Sequence, residues 1–431
     1  MKILFINPWL INITNSFFGK YMDRVNGDNL VCQILAAVTP KNHSIKMVND
    51  IGDNIDFDSD VDLVAMTTFT RSAPRAYAIA DEFRKRGKKV VLGGWHASAL
   101  PDEAKQHADS VVIGEGEDTF PQLLKDLERN ELKAFYEQEK PVDLNSVPIL
   151  TRDERNLYKL SSFAQSVEMT KGCPTGCNFC SIANRKFGKI HRTKTIENAI
   201  KELRSIPQRY IIFSDPSLTI NPNYTKQLFR EMKGLNKLFS CEGNVNILGR
   251  DDELLRLASE AGCVSWYVGF ESINQETINS IGKSTNKVEN YKNVIKKIHD
   301  YGMCLEAALM FGFDTDGPDV FDDTLEAIKN WEIDLIDFST LTPYPGTPLF
   351  SQLEKEGRIL TREWEIYDSA HVVFKPKQMT PKELYDGVHR MRKEFYTPLK
   401  TLKRTTKSIK FGLYPFIITY LSNNRRRAMN V

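Results

Sequence analysis

The feature that most constrains this chain is a rhythm. Short apolar runs alternate with segments of helical spacing, once near the start and again after an interruption. "KILFINP", "HSIKMVN", "VDLVAMTTFT", "KKVVLGG" and "SVVIGEGE" read as five strands. Segments such as "APRAYAIADEFRKRG" separate them, with a glycine at the end. Strands that alternate with helices bury both faces of a parallel sheet. Residues 1–130 are therefore predicted to form a Rossmann-like, doubly wound α/β domain. Residues 131–162 are charged, carry prolines and keep no clean period, which predicts a linker. The rhythm resumes over 163–352 with "AQSVEMT", "YIIFSD", "LFSCEGNV", "VSWYVGFES", "CLEAALMFGF" and "LIDFSTLTPY". Six successive βα units predict a partial (β/α)6 barrel, with its chemistry at the C-terminal ends of the strands. Residues 353–431 read as a helical, basic C-terminal extension.

Charge and cysteine usage narrow the function classes. Fifty-eight Lys and Arg against 56 Asp and Glu leave a net charge of +2, which argues against a dedicated nucleic-acid binder. No apolar run approaches membrane-spanning length, and the start lacks the pattern of a signal peptide. A cytoplasmic chain with reduced thiols is the expectation. An odd count of seven cysteines also fits a disulfide framework poorly. After Glu394 no acidic residue appears, and the tail carries one short apolar run. It reads as an extension packed on the barrel, or as a surface segment for anionic lipid or an acidic partner.

Three of the seven cysteines, Cys173, Cys177 and Cys180, crowd into "TKGCPTGCNFCSIANRKFGK", just after the first barrel strand. Thiolates are soft ligands for zinc, Cu(I) and iron–sulfur clusters. A closed structural zinc site needs four ligands, and His191 is not at a finger-like spacing. Three thiolates on a four-iron cube leave one iron open to a small molecule. Gly172, Pro174 and Gly176 let the chain wrap closely around a compact object. Cys32, Cys241, Cys263 and Cys304 lie beside apolar residues and read as small buried hydrophobes.

Cys173-x3-Cys177-x-Phe179-Cys180 resembles the signature of the radical S-adenosylmethionine (SAM) enzymes. The resemblance implies a [4Fe–4S] cluster on the three cysteines, with its free iron chelating the amino and carboxylate groups of SAM. One electron would then cleave SAM to methionine and a 5′-deoxyadenosyl radical. It also implies SAM contacts for Phe179, for Asp215 in "FSDPS" and for Glu271 in "VGFES". Asp215 reads equally well as a turn or cap residue, and Glu271 as half of a salt bridge at the barrel mouth. Tyr344 in "TPYPGTPLF" is a candidate for substrate contact, or a packed aromatic.

The first domain lacks G-x-G-x-x-G after its first strand, so the usual dinucleotide cradle is missing. "MTTFTR", "LGGWHASALP" and "VIGEGEDTFPQLL" follow its later strands instead. In this order they resemble the B12-binding domain fused to radical SAM barrels. The resemblance implies cobalamin lined by Thr67, Thr68, Thr70, Gly93, Gly94, Trp95, His96, Gly114, Glu115, Gly116 and Glu117. Asp-x-His-x-x-Gly is absent, so His-on binding through that motif is not expected. By the same resemblance His96 is either a cobalt ligand or a loop histidine bonded to its neighbours, and Thr70 and Arg71 are the alternative residues under the cobalt, lying there without coordinating it. The whole implies a cobalamin-dependent C-methyltransferase acting on a small molecule or lipid, with a flavodoxin or ferredoxin as electron donor. Radical cyclisation, rearrangement or carbon–carbon coupling, and a non-catalytic iron–sulfur or cobalamin carrier, are the alternatives.

Overall fold

The computed structural model describes residues 1–9, 30–50, 54–149, 164–283 and 285–428. Six strands form the first sheet: β1 (Lys2–Asn7), β2 (Ser44–Asn49), β3 (Leu63–Thr67), β4 (Lys89–Gly93), β5 (Ser110–Ile113) and β6 (Phe135–Glu137). Their order is β2-β1-β3-β4-β5-β6 and every pairing is parallel. Alternate residues feed opposite cores. Leu4, Ile6, Val64, Met66 and Leu92 pack with Ile79 and Phe83 of the helix Ala73–Lys85. Ile3, Phe5, Leu63, Ala65 and Val91 pack with Ala36, Leu123 and Leu124 from the helices Leu30–Val38 and Gly116–Glu128. The five strands read from sequence are present. The sixth lies inside the stretch read as linker, where Val111 to Ile113 pair with Phe135 to Glu137. Strand order reverses between β1 and β3, the position where doubly wound folds bind ligands beyond their strand ends. The loop that follows β1 lies outside the described residues.

The second half begins with β7 (Ala164–Val167), then a short antiparallel pair, β8 (Thr170–Lys171) and β9 (Arg192–Thr193). It continues through β10 (Tyr210–Phe213), β11 (Leu238–Gly243), β12 (Cys263–Glu271), β13 (Cys304–Phe311) and β14 (Leu335–Thr340). In space the sheet runs β7-β10-β11-β12-β13-β14, all parallel and in chain order, as a partial (β/α)6 barrel requires. Phe239, Trp266 and Leu305 point to the outer core, against helices such as Ile196–Ser205 and Asp252–Ala261.

The C-terminal part is helical, as expected. The helix Pro381–Phe395 starts with a capping box between Thr380 and Glu383 and lies along β14, where Arg392 Nε donates to the Phe338 carbonyl at 3.1 Å. The last helix, Leu413–Ala428, crosses the beginnings of the barrel strands. Tyr414 and Ile418 pack on Ala164, Tyr210 and Val264, and Asn423 Nδ2 donates to the Asp334 carbonyl. No described helix is long and apolar enough to cross a membrane.

Candidate active site

The loop from Gly172 to Ile190 is built by glycine and by backbone hydrogen bonds. Gly172 has φ +84°, and a Cβ there would stand 2.1 Å from the Ile190 carbonyl oxygen. The chain therefore crosses itself where a side chain cannot fit. Cys173 N donates to the Gly188 carbonyl at 2.8 Å, and Cys180 N to the Cys177 carbonyl at 3.1 Å. Asn184 Nδ2 ties the turn by donating to the carbonyls of Cys177 and Cys180 at 2.8 and 2.7 Å. Phe179 packs edge-on against Phe313 at 6.2 Å. All three thiols are free.

Beside this loop lies a cation that the sequence did not single out. Glu271 ends β12 with φ +64°, at a register shift against β13. Lys283 Nζ donates to Glu271 Oε1, and the pair sits over Gly269, where a Cβ would be 2.8 Å from Nζ. Burial pushes the Cys177 thiol up to about 12, while the Lys283 charge pulls the other way. Among the described residues no three His, Cys, Asp or Glu side chains converge on a single metal ion. A four-iron cube places each cysteine on its own iron, so it needs no such convergence. Three soft donors on one glycine-wrapped loop, with a lysine beside them to offset thiolate charge, fit such a cluster.

Asp215 is fully buried. Its Oδ1 accepts from Met169 N at 3.0 Å and from Thr170 N, while its Oδ2 has no partner. Burial raises its carboxyl to about 7. One oxygen ties the strand that leads into the cysteine loop, and the other is left without a donor among the described residues.

The inner face of the barrel sheet carries polar groups. Arg426, from the last helix, pairs with Glu306 and with Asp337 at 2.7 Å. Tyr267 donates to Asp337 at 3.3 Å. Glu242 is the exception. It alternates with the outward-facing Phe239, Cys241 and Gly243, and it makes no hydrogen bond or ion pair among the described residues. Burial, with Asp215, Glu271 and Glu306 nearby, pushes its carboxyl up to about 8. Tyr344, by contrast, donates or accepts at Ser369 Oγ at 3.0 Å and packs beside Phe350 and Trp364. It is a packed aromatic.

In the first domain the loops after β3 and β4 hold orphaned polar atoms and, in two exceptions, side chains bonded to their neighbours. Thr70 Oγ1 and Trp95 Nε1 are buried without partners among the described residues. Gly94 has φ +91°, and a Cβ there would meet Thr67 Oγ1 at 2.5 Å. Orphaned polar atoms beside a glycine turn, next to the strand-order reversal, fit a large polar cofactor. Thr68 is the first exception: its hydroxyl donates to the Gly93 carbonyl at 2.9 Å and accepts from Ala97 N at 3.1 Å. That threonine stitches β3 to the next loop. His96 is the second, fully buried with Nε2 3.1 Å from Glu103, which also accepts from Tyr77 and Trp364. The His96 Nδ1 has no partner among the described residues.

The carboxylates of the "GEGE" loop are engaged by the second half of the chain. Glu115 takes two hydrogen bonds from Arg192 at 2.7 and 2.6 Å, and Glu117 takes one from Lys171. Gly114 lies against Gln138 and its N–H donates to Ser98 Oγ, while Gly116 faces Leu35. These four residues face protein, not an open cofactor cradle. Glu115 and Glu117 dock the first domain onto both ends of the cysteine loop. Burial opposes ionisation of Glu115, but Arg192, Lys171 and Arg185 outweigh it and hold the carboxyl down to about 2.

Comparison with known proteins agrees with this geometry. Residues 167–328 match the family model of the radical SAM superfamily, 46–124 that of the B12 binding domain, and 347–415 a domain of unknown function. Bacteriochlorophyllide d C-12(1)-methyltransferase of Chlorobaculum tepidum is 31% identical over 366 residues, covering 82% of this chain and 79% of that protein. The C-8(2)-methyltransferase of the same organism is 31% identical over 391 residues, covering 86% of each. Among solved structures, the radical SAM methyltransferase TsrM from Kitasatospora setae superposes with a TM-score of 0.67 at 16% identity, over 82% of this chain and 76% of that one. The cobalamin-dependent radical enzyme OxsB gives 0.71 at 13% identity, over 97% and 72%.

Proposed function

The chain belongs to the B12-binding radical SAM family, and we propose that it is a C-methyltransferase that methylates an unactivated carbon of a small-molecule substrate. When bound, the [4Fe–4S] cluster supplies the electron that cleaves SAM, and cobalamin supplies the methyl carrier. The observation that carries the reading is the loop of three free cysteines, clamped at both ends by the cobalamin-type domain through Lys171 and Arg192.

Cys173, Cys177 and Cys180 hold the cluster. Phe179 packs the loop against Phe313. Asp215 offers its free oxygen to the SAM amine as a charge-assisted acceptor. Glu271, held by Lys283, takes the second polar contact to SAM. Thr67, Thr70, Gly93, Gly94 and Trp95 line the cobalamin side. Glu242, whose carboxyl burial pushes up to about 8, lies on the inner face of the barrel and offers a hydrogen bond to an oxygen of the substrate. The clamp fixes the two cofactor loops relative to each other, which is the protein's main contribution to a reaction between bound partners. A small reduced flavodoxin or ferredoxin is the electron donor of this reading.

The test is anaerobic reconstitution with iron, sulfide and hydroxocobalamin, followed by reduction with SAM. We expect about four iron and one cobalamin per chain, with both 5′-deoxyadenosine and S-adenosylhomocysteine formed. Cys173→Ala should lose the iron and the 5′-deoxyadenosine. Cleavage of SAM without cobalamin binding would remove the methyl-transfer assignment.

A further inference from the structure

The helix Pro398–Lys407 and the turn that follows it present aliphatic side chains to solvent. In the helix Pro398–Lys407 and the turn Ser408–Phe411, the buried residues are Thr401, Thr405 and Ser408. Thr401 and Thr405 bury their hydroxyls without partners. Leu399 is 79% exposed, Leu402 60%, Ile409 56% and Leu413 66%. Steps of three and seven residues keep Leu399, Leu402 and Ile409 on one stripe of the helix and its closing turn, and Leu413 opens the next helix beyond Gly412, at φ +114°. Packing on the barrel therefore uses the small hydroxyl side and leaves the aliphatic side uncovered. Contiguous exposed apolar surface of this kind marks an interaction site.

Charge identifies the occupant. Lys400, Lys403, Lys407 and Lys410 lie along one flank of the stripe. Lys407 reaches Glu332 at 2.7 Å, whereas Lys400, Lys403 and Lys410 make no ion pair among the described residues. From Phe395 onward the sequence has eight Lys and Arg and no Asp or Glu. An aliphatic stripe edged by unpaired lysines on long flexible stems is the chemistry of an interfacial helix, whose apolar side chains enter the acyl boundary while its ammonium groups stay with anionic headgroups. An acidic protein would satisfy the lysines but leave the leucines in water. A second copy of the chain would cover the leucines but bring like charges together.

We propose that the segment Pro398–Lys410 docks the enzyme on the surface of an anionic lipid bilayer, through Leu399, Leu402 and Ile409 with Lys400, Lys403 and Lys410. The inference is independent of the methyl-transfer reading, because it rests on the outer surface and not on the cofactor site.

Flotation of the full chain tests it, with vesicles of phosphatidylcholine alone or of equal parts phosphatidylcholine and phosphatidylglycerol. The chain should float with the anionic vesicles, weakly with the neutral ones, and less at high salt. Each lysine near a charged bilayer contributes about fivefold, so K400Q/K403Q/K410Q should weaken partitioning roughly a hundredfold. L399S/L402S should weaken binding by about tenfold per leucine, with an unchanged far-ultraviolet circular dichroism spectrum. Wild-type protein that stays unbound on both vesicles overturns the proposal. So does a concentration-dependent dimer that L399S/L402S abolishes without any vesicle binding, or retention by a reduced flavodoxin column that the lysine variant loses while vesicle binding is absent.

Discussion

Breaking the clamp between Glu115 and Arg192 should uncouple the two halves of the enzyme. The Glu115 side chain is 2% exposed and that of Arg192 12%, so neither charge has water to fall back on. Removing one partner of such a pair costs about 3–5 kcal/mol, because the other is left buried and uncompensated. The carboxyl gives a second route to the size. Held at about 2 instead of the ordinary 4.5, it contributes about 3 kcal/mol at neutral pH, at about 1.4 kcal/mol per pH unit. The sign follows from the depressed value: the contribution is complete well above pH 4.5 and fades as pH falls toward 2. Glu115→Gln should therefore lose about 3 kcal/mol in urea denaturation at pH 7. The loss should shrink to roughly half near pH 3. Arg192→Gln should lose a similar amount. The double variant should lose at least about 2 kcal/mol less than the sum, since it leaves no unpaired charge. In the reconstituted enzyme, SAM cleavage should outlast methyl transfer, because the cysteine loop stays whole while its distance to the first domain is no longer held. Additive single losses, or a loss at pH 3 equal to that at pH 7, would refute the reasoning.

Two further outcomes follow from the barrel. Glu242, with its carboxyl raised from 4.5 to about 8, stays protonated in the folded chain at pH values where the unfolded chain ionises it. Wild-type stability should therefore fall by up to about 1.4 kcal/mol per pH unit between pH 4.5 and 8 relative to Glu242→Gln. Urea midpoints at pH 5 and pH 8 measure this, and parallel shifts of the two proteins would show that Glu242 is ionised in the fold. Gly172→Ala places a methyl 2.1 Å from the Ile190 carbonyl oxygen at a φ of +84°, so it should open the cysteine loop and lower iron retention after reconstitution, read by iron analysis against an unchanged barrel spectrum.

Much of this architecture is legible in the sequence because its signals are local. The strand β3, "LVAMT", is buried along its whole length, and a continuous apolar run is what a central parallel strand requires. The three cysteines lie within eight residues, so their convergence needs no tertiary information. The strand β6 is different. Phe135 and Glu137 are exposed and only Tyr136 is buried, so a three-residue edge strand among charged neighbours leaves no periodic trace. Lys283 is also hidden. It returns to Glu271 across a helix and a turn, and no spacing rule links a lysine to a carboxylate twelve residues earlier.

The "GEGE" loop shows where the reading reaches its limit. Glycine signals that something approaches the backbone closely, but it does not say what. At Gly94 the geometry leaves orphaned polar atoms nearby, and a cofactor fits. At Gly114 the approaching group is Gln138, and the flanking carboxylates turn toward Arg192 and Lys171, dozens of residues later. The same ambiguity governs the tail. Its composition announces basic charge, and its pattern announces an amphipathic helix, yet both are satisfied whether the leucines face the barrel or the solvent. Only packing decides, and it decides by burying Thr401, Thr405 and Ser408. The acidic loop and the basic helix are thus the places where the chain directs its charge to a partner: the first to its own barrel, and in our proposal the second to a surface outside it.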